Sequence, residues 1–162
     1  MRIAGLNKND FTDGQGVCVA LWVQGCPHKC PGCFNPETWD FEGGTAAPSD
    51  LRGEIVKAIS ANGITRNFSI LGGEPLCEEN LDGVLNIITA VRMAYPDIKI
   101  YVWSGYTFAE LINKKDKRIN QILQQANYLI DGRYEKELKD ITLPLRGSSN
   151  QQIIELDKKK FL

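Results

Sequence analysis

The stretch Gly25-Cys26-Pro27-His28-Lys29-Cys30-Pro31-Gly32-Cys33-Phe34-Asn35 contains three of the five cysteines of this 162-residue chain. The spacing C-x3-C-x2-C allows one short loop to surround one corner of a metal cluster. Three thiolates would bind three irons of a [4Fe–4S] cube, whereas electron-transfer clusters normally have four cysteine ligands. The stretch therefore predicts a cluster with one open iron, which binds something other than the protein.

A buried strand is predicted directly before this loop, because residues 17–23 form an almost continuous apolar run of strand length. Similar runs at 67–71, 98–103 and 128–130 predict further strands, and residues 152–156 predict a last one. In α/β folds ligands bind at the carboxyl ends of the strands, which is where the cysteine loop begins.

Helical spacing of apolar residues predicts helices between these strands. They run from residue 51 to a stop at Asn62-Gly63, from 80 to 95, and from 108 to 125 with a break near 114–117. Strands and helices alternate, which favours a parallel sheet with right-handed crossovers. The units are too few for a closed eight-stranded barrel. The predicted fold is a single α/β domain over residues 1–162, a partial, open β/α barrel with a mostly parallel sheet.

Composition and charge argue against several classes of protein. The hydrophobic fraction of 43% and the charged fraction of 24% are ordinary for a globular domain. The formal net charge of −1 gives no field that would attract nucleic acid or an anionic membrane. Without a signal-peptide core or a run of about 18 apolar residues, a cytoplasmic location is expected. In that reducing compartment, an odd number of clustered cysteines favours metal binding over disulfides.

A zinc site is the main alternative for the cysteine loop. Structural zinc normally has four Cys or His ligands. His28 is the only histidine and lies inside the loop, while Cys18 and Cys77 stand alone in the sequence, so that either could be a fourth ligand. Because no second cysteine pair exists, the ligand count favours the cluster.

A second signal, Gly72-Gly73-Glu74-Pro75, ends the strand that follows the cysteine loop. The motif could be a simple turn into a helix. Two glycines also allow the backbone to approach a ligand closely, and a carboxylate can accept hydrogen bonds from an ammonium group. At this position, Glu74 is where an amino acid chelated to an open iron would need an acceptor.

Cysteines spaced C-x3-C-x2-C after one strand, with Gly-Gly-Glu after the next, resemble the radical S-adenosylmethionine (SAM) superfamily. The resemblance implies that SAM chelates the open iron, and that one electron from the cluster yields a 5′-deoxyadenosyl radical and methionine. Gly72, Gly73 and Glu74 would face the methionine end of SAM. The implied ligands of the single [4Fe–4S] cluster are Cys26, Cys30 and Cys33.

One departure from the superfamily pattern lies beside the third cysteine. An aromatic residue that packs on adenine usually precedes this cysteine, whereas here Gly32 precedes it and Phe34 follows it. Backbone atoms of Gly32, Cys33 and Phe34 are therefore the expected adenine contacts.

The sequence Cys-Pro-Gly-Cys with an aromatic and Asn after it resembles the activating proteins of the anaerobic (class III) ribonucleoside-triphosphate reductases. In the same order along the chain, further blocks match this family, although Cys18 and Leu145 depart from it. Ser104, in one of the blocks, is a further expected cofactor contact. The matching blocks are Asp13-Gly14-Gln15-Gly16, Thr38-Trp39, Trp103-Ser104-Gly105-Tyr106, Asp131-Gly132-Arg133-Tyr134 and Arg146-Gly147-Ser148-Ser149-Asn150-Gln151.

This resemblance implies an oxidoreductase that receives electrons from a flavodoxin-type donor. Its radical would abstract hydrogen from a glycine in the glycyl-radical loop of the reductase's catalytic subunit. Arg146 and Asn150 would contact either the cofactor or this partner, and a homodimer is left open. The alternatives are an activase of another glycyl-radical enzyme, a small-molecule radical SAM enzyme such as that of 7-deazaguanine synthesis, and a non-catalytic metal-binding module.

Overall fold

The computed structural model describes residues 1–158, so the last four residues of the predicted domain lie outside the described part. Within that part, strands and helices alternate after an N-terminal hairpin. The strands are β1 (Arg2–Asp10), β2 (Cys18–Val23), β3 (Thr45–Ala46), β4 (Asn67–Gly72), β5 (Ile100–Ser104), β6 (Tyr128–Asp131) and β7 (Gln152–Glu155). The helices are α1 (Leu51–Ile59), α2 (Glu78–Ala94), α3 (Phe108–Asn113) and α4 (Lys117–Gln125).

All seven strands belong to one sheet with the order β3-β1-β2-β4-β5-β6-β7. The central strands β2, β4, β5 and β6 are parallel, as predicted, and the pairs at both edges are antiparallel. The fold class is therefore α/β with a mostly parallel sheet. These pairings leave two edge strands, β3 and β7, and they do not establish the curvature of an open barrel, which stays a prediction.

The first and third strands are not predicted from the sequence, for a physical reason. Strand β1 has only two buried residues, Ile3 and Asp10, so it lacks the apolar alternation by which half-buried strands are recognised. It is held by its antiparallel pairing with β2. Strand β3 is two exposed residues long and carries no pattern at all.

The predicted helices are confirmed, with shifts of one or two residues at their ends. The break near 114–117 separates α3 from α4, and Lys115 there has φ of 53°, which a helix cannot continue through. Leucine, isoleucine and valine side chains from α1, α2 and α4 are buried in the hydrophobic core with those of the central strands. Burial of such a side chain stabilises the fold by about 1.5–3 kcal/mol, so these helices are fixed by packing.

Four loops meet at the carboxyl edge of the parallel strands. Val23 pairs with Gly72, and Ser104 pairs with Asp131, so β2, β4, β5 and β6 all end at the same edge. The segments that follow these strands contain every block singled out in the sequence except the one at Asp13, which precedes β2. No helix within residues 1–158 is long and apolar enough to cross a membrane.

Candidate functional site

The start of the cysteine loop is fixed by backbone hydrogen bonds. The N–H of Gly25 donates to the carbonyl of Thr38 (2.8 Å), and that of Cys26 donates to Trp39 (3.2 Å). The N–H of Glu74 in turn donates to the carbonyl of Gly25 (2.8 Å). The first cysteine is therefore held between the segment after the loop and the end of β4.

The three cysteines of the loop share one cavity of about 130 Å³. Cys33 N–H closes a turn on the carbonyl of Cys30 (3.1 Å), and Gly32 between them has φ of 75°, a conformation that favours glycine. The structure thus brings together most of the predicted site residues. The cavity is lined by Cys26, Cys30 and Cys33 together with Gly72, Gly73, Ser104, Trp39 and residues of the neighbouring loops.

The thiols of Cys26 and Cys30 are protonated in the metal-free chain at neutral pH, because the pKa of each is raised. Burial raises the pKa of Cys26 to about 11, and the nearby charge of Glu74 adds to the rise. Burial also raises the pKa of Cys30 above its usual value. Because a metal binds the thiolate, loading the site with metal would release these protons.

The two remaining cysteines lie outside the cavity. The Sγ of Cys77 donates to the carbonyl of Glu74 (3.1 Å), and burial together with the Glu74 charge raises the pKa of Cys77 to about 12. Cys18 is buried in β2, with its sulfur 3.8 Å from the carbonyl of Gln15. Within residues 1–158 no three His, Cys, Asp or Glu side chains converge on a single metal ion. Neither Cys18 nor Cys77 is among the residues that line the cavity of the three loop cysteines.

The carboxylate of Glu74 is completely buried and accepts hydrogen bonds from four neighbours. Oε1 accepts from Leu76 N–H (2.9 Å) and Ser104 Oγ (2.8 Å). Oε2 accepts from Gly105 N–H (2.7 Å) and lies 2.7 Å from Nε2 of His28. An ammonium ligand would have to share this carboxylate with them or use the backbone beside it. The bond to His28 was not foreseen, since the sequence does not show which way a loop side chain points.

Close packing requires glycine at both positions before Glu74. A Cβ on Gly73 would lie 2.3 Å from the carbonyl oxygen of Gly25. Gly72 has φ of 109°, and its Cβ would lie 2.7 Å from the carbonyl of Val23. Glycine is therefore needed for the end of β4 to lie against the first residue of the cysteine loop, and both glycines still line the cavity.

A second cavity, of about 320 Å³, adjoins the first. Trp103 lines both cavities and is half-buried. Its Nε1 donates to the carbonyl of Leu145 (2.9 Å), which holds the C-terminal loop over this side of the site. Phe34 is 56% exposed and packs against Tyr134, with 5.1 Å between ring centroids. The side chain of Phe34 thus faces the second cavity and solvent.

The C-terminal block folds back onto the end of β6. Gln151 donates to the carbonyl of Gly132 (2.9 Å), and its Oε1 accepts from Gly147 N–H (2.9 Å). Arg146 lines the second cavity, whereas Asn150 lines neither cavity and donates to the carbonyl of Arg133 (2.7 Å). Of the two polar residues considered for the cofactor or the partner, the structure thus places only Arg146 beside the site.

A buried hydrogen-bond donor without a partner supports the fit of a metal cluster and its bound ligand in the first cavity. Nε1 of Trp39 is buried without a hydrogen-bond partner, although a buried donor normally has one. Trp39 lines the same cavity as the three cysteines. Three thiols and one orphaned N–H in one cavity suit a metal cluster accompanied by a polar ligand.

Asp13, at the second cavity, predicts a pH dependence of stability. Burial raises the pKa of Asp13 from its usual 3.8 to about 6, and the charge of Asp10 adds to the rise. The folded state therefore keeps a proton that the unfolded chain releases, so this stability is present below about pH 4 and is lost as the pH rises through about 6. Asp13→Asn should stabilise the metal-free protein by about 1 kcal/mol at pH 7 and have little effect at pH 4, allowing for partial exposure.

Denaturant unfolding at the two pH values measures this difference. Asp97→Asn, at an exposed carboxylate, is the control for the exchange of a carboxylate for an amide. Equal effects of Asp13→Asn on the free energy of unfolding at both pH values would contradict the raised pKa of Asp13.

Comparison with known proteins adds independent information about the site. A family model described as a 4Fe-4S single cluster domain matches residues 12–154. The anaerobic ribonucleoside-triphosphate reductase-activating protein of Pasteurella multocida is 37% identical over 145 residues, which are 89% of this chain and 90% of that protein. The proteins of the same name from Escherichia coli K12 and Vibrio cholerae are 34% and 35% identical over 145 residues, covering 89% of this chain and 92% and 91% of theirs.

Proposed function

Because the chain belongs to the family of anaerobic ribonucleoside-triphosphate reductase-activating proteins, we propose that it activates such a reductase by radical SAM chemistry. The observation that carries the proposal is the single cavity in which three cysteines, an orphaned donor and the ends of β4 and β5 meet. A metal cluster and an amino acid ligand would need these groups side by side.

In this proposal the three cysteines of the loop hold one [4Fe–4S] cluster and leave one iron for SAM. When bound, the cluster supplies the electron that cleaves SAM to methionine and a 5′-deoxyadenosyl radical. The chain's own contribution is to hold the reactants in place and to limit access of water. The proposed ligands are Cys26, Cys30 and Cys33.

The proposed SAM contacts divide between two sides of the cavity. Gly72, Gly73 and Glu74 would bind the methionine end, together with Ser104, whose Oγ donates to Glu74. Since the Glu74 carboxylate already accepts from four neighbours, part of this role would be to hold the backbone at the end of β4 in place. Backbone atoms of residues 32–34 remain the proposed contacts for adenine, because the ring of Phe34 lies toward solvent and Tyr134.

The substrate is proposed to be the glycine loop of the reductase's catalytic subunit. Cys30 and Cys33 are only half-buried, and the second cavity extends from Cys33 to the surface at Phe34 and Arg146. A protein loop can reach such an open site, whereas a small substrate usually occupies an enclosed pocket. The proposal also includes a single domain over residues 1–162 and a flavodoxin-type electron donor. Whether the protein forms a homodimer is left to experiment.

Electron paramagnetic resonance tests the proposed function directly. The reconstituted protein, mixed anaerobically with reductant, SAM and the candidate reductase, is expected to produce a glycyl-radical doublet on the reductase. A reductase variant in which the target glycine is alanine is the control and should give no doublet. Cleavage of SAM without a doublet would exclude the candidate reductase as the substrate and would favour another glycyl-radical enzyme or a small molecule. If SAM were not cleaved, the alternative of a non-catalytic metal-binding module would be favoured.

A further inference from the structure

His28 lies in the cysteine loop, but its side chain is turned into the protein. The side chain is 5% exposed, and Nε2 lies 2.7 Å from Oε2 of Glu74, whose side chain is 0% exposed. A carboxylate oxygen accepts hydrogen bonds, so Nε2–H is the donor in this contact. The imidazole thereby joins the loop to the end of β4.

His28 lies between two of the proposed iron ligands, two residues after Cys26 and two residues before Cys30. It is therefore joined to both cysteines by a short stretch of main chain and to a proposed cofactor-binding residue, Glu74, by its side chain. The three other donors to Glu74 come from the ends of β4 and β5, so among the four it is His28 that comes from the loop.

The imidazole lies in a seat formed by the residues that follow β5. A Cβ on Gly105 would be 2.4 Å from Cδ2 of His28, so the seat requires glycine at this position. The ring of Tyr106 packs edge to face against the imidazole, with 4.4 Å between centroids and an interplanar angle of 74°. Because Gly105 and the ring of Tyr106, both from another loop, pack closely against the imidazole, the side chain has a defined position.

We infer that His28 is a positioning residue that fixes the cysteine loop relative to the cofactor-binding end of β4. The inference rests on the proposed function, because SAM would have to reach the open iron and the end of β4 at the same time. A small misplacement between two such points weakens binding strongly, since the ligand cannot satisfy both. Residues that orient metal ligands typically change metal affinity or activity about 10- to 100-fold when they are replaced.

The functional test compares two substitutions of similar size. His28→Leu fills the seat without a donor, whereas His28→Gln places an amide N–H at a similar reach. With iron and sulfide content matched, we expect the dissociation constant of SAM to rise about tenfold or more for His28→Leu. For His28→Gln it should return to within about threefold of the unsubstituted protein. Lys57→Ala, at an exposed residue of α1, is the control and should bind SAM normally.

A second variant covers the case in which His28→Leu does not load the cluster. Gly105→Ala leaves the loop sequence intact but intrudes on the imidazole seat, so it should weaken SAM binding to a similar degree. Normal SAM affinity in Gly105→Ala, or in a loaded His28→Leu protein, would overturn the inference. Tighter binding in either would overturn it as well, because the imidazole would then be blocking the position of SAM.

The metal-free protein allows a test that is independent of SAM. His28 is the only histidine, so nuclear magnetic resonance shows a single imidazole. Its Nε2–H is expected to be protected from exchange with water, and Gly105→Ala should remove this protection. A freely exchanging imidazole in the unsubstituted protein would overturn the inference. If the unsubstituted protein neither bound nor cleaved SAM, the proposed function would fail. The exchange rate of the Nε2 proton would still show whether His28 holds the cysteine loop against the end of β4.

Discussion

Cys30→Ala is expected to abolish cluster assembly and to reduce SAM cleavage by more than about 100-fold, the upper range seen when a ligand's outer-shell partner is lost. Cys30 lines the cavity with the two other loop cysteines, and within residues 1–158 no further cysteine lies close enough to replace it. Two thiolates cannot hold three irons, so the loss should be complete rather than partial. Iron, sulfide and visible absorbance after anaerobic reconstitution measure it, with about four irons expected in the unsubstituted protein.

Cys77→Ala is the matched control for this experiment. Cys77 is buried and donates to the carbonyl of Glu74, which still accepts from Asn80 when the thiol is removed. This variant should therefore load the cluster and cleave SAM as the unsubstituted protein does. If Cys30→Ala kept full cleavage activity, the proposed ligand set would be wrong.

Glu74→Ala is expected to lower the free energy of unfolding of the metal-free protein by about 3–5 kcal/mol. The substitution removes the common acceptor of four donors in a fully buried position. An unsatisfied buried donor costs about 1–3 kcal/mol, and some of these groups would find water after the side chain is removed. Denaturant unfolding of the metal-free protein isolates this structural effect from cofactor binding.

Glu42→Ala is the control for the loss of a carboxylate. Glu42 is exposed, so its removal should change stability by less than about 0.5 kcal/mol. A Glu74→Ala protein as stable as this control would show that the four hydrogen bonds contribute little. It would also remove the reason for regarding Glu74 as the link between β4, β5 and the cysteine loop.

The parallel core of the fold was predictable because its strands are mostly apolar and of strand length. Residues 67–71 illustrate this, since they were assigned from an apolar run and form β4. The hairpin partner β1 was missed because pairing with β2, and not burial, makes it a strand. Tertiary pairing of this kind leaves no periodic signal in the sequence.

Residues at the carboxyl ends of the strands were predicted well, because parallel strands bring their ends to one edge. The cysteines, Gly72, Gly73 and Ser104 accordingly line one cavity. The environment of Glu74 was not predictable, since it depends on the direction of the His28 side chain and on a turn after β5. The two glycines also have a packing role that the sequence did not reveal, since they allow β4 to pack against the cysteine loop. Spacing in sequence reveals which residues meet, but not which bonds they form.

The three loop cysteines differ in solvent exposure, and this difference affects how the protein responds to oxidation. Cys26 is buried and fixed by backbone bonds, whereas Cys30 and Cys33 are half-exposed on the side facing solvent. None of the three belongs to the hydrophobic core, which is formed by the sheet and the helices. Oxidative damage would thus begin at the outer two sulfurs and leave the folded scaffold intact. We therefore expect a copy that has lost its cluster to keep its fold, so that iron and sulfide can restore the site.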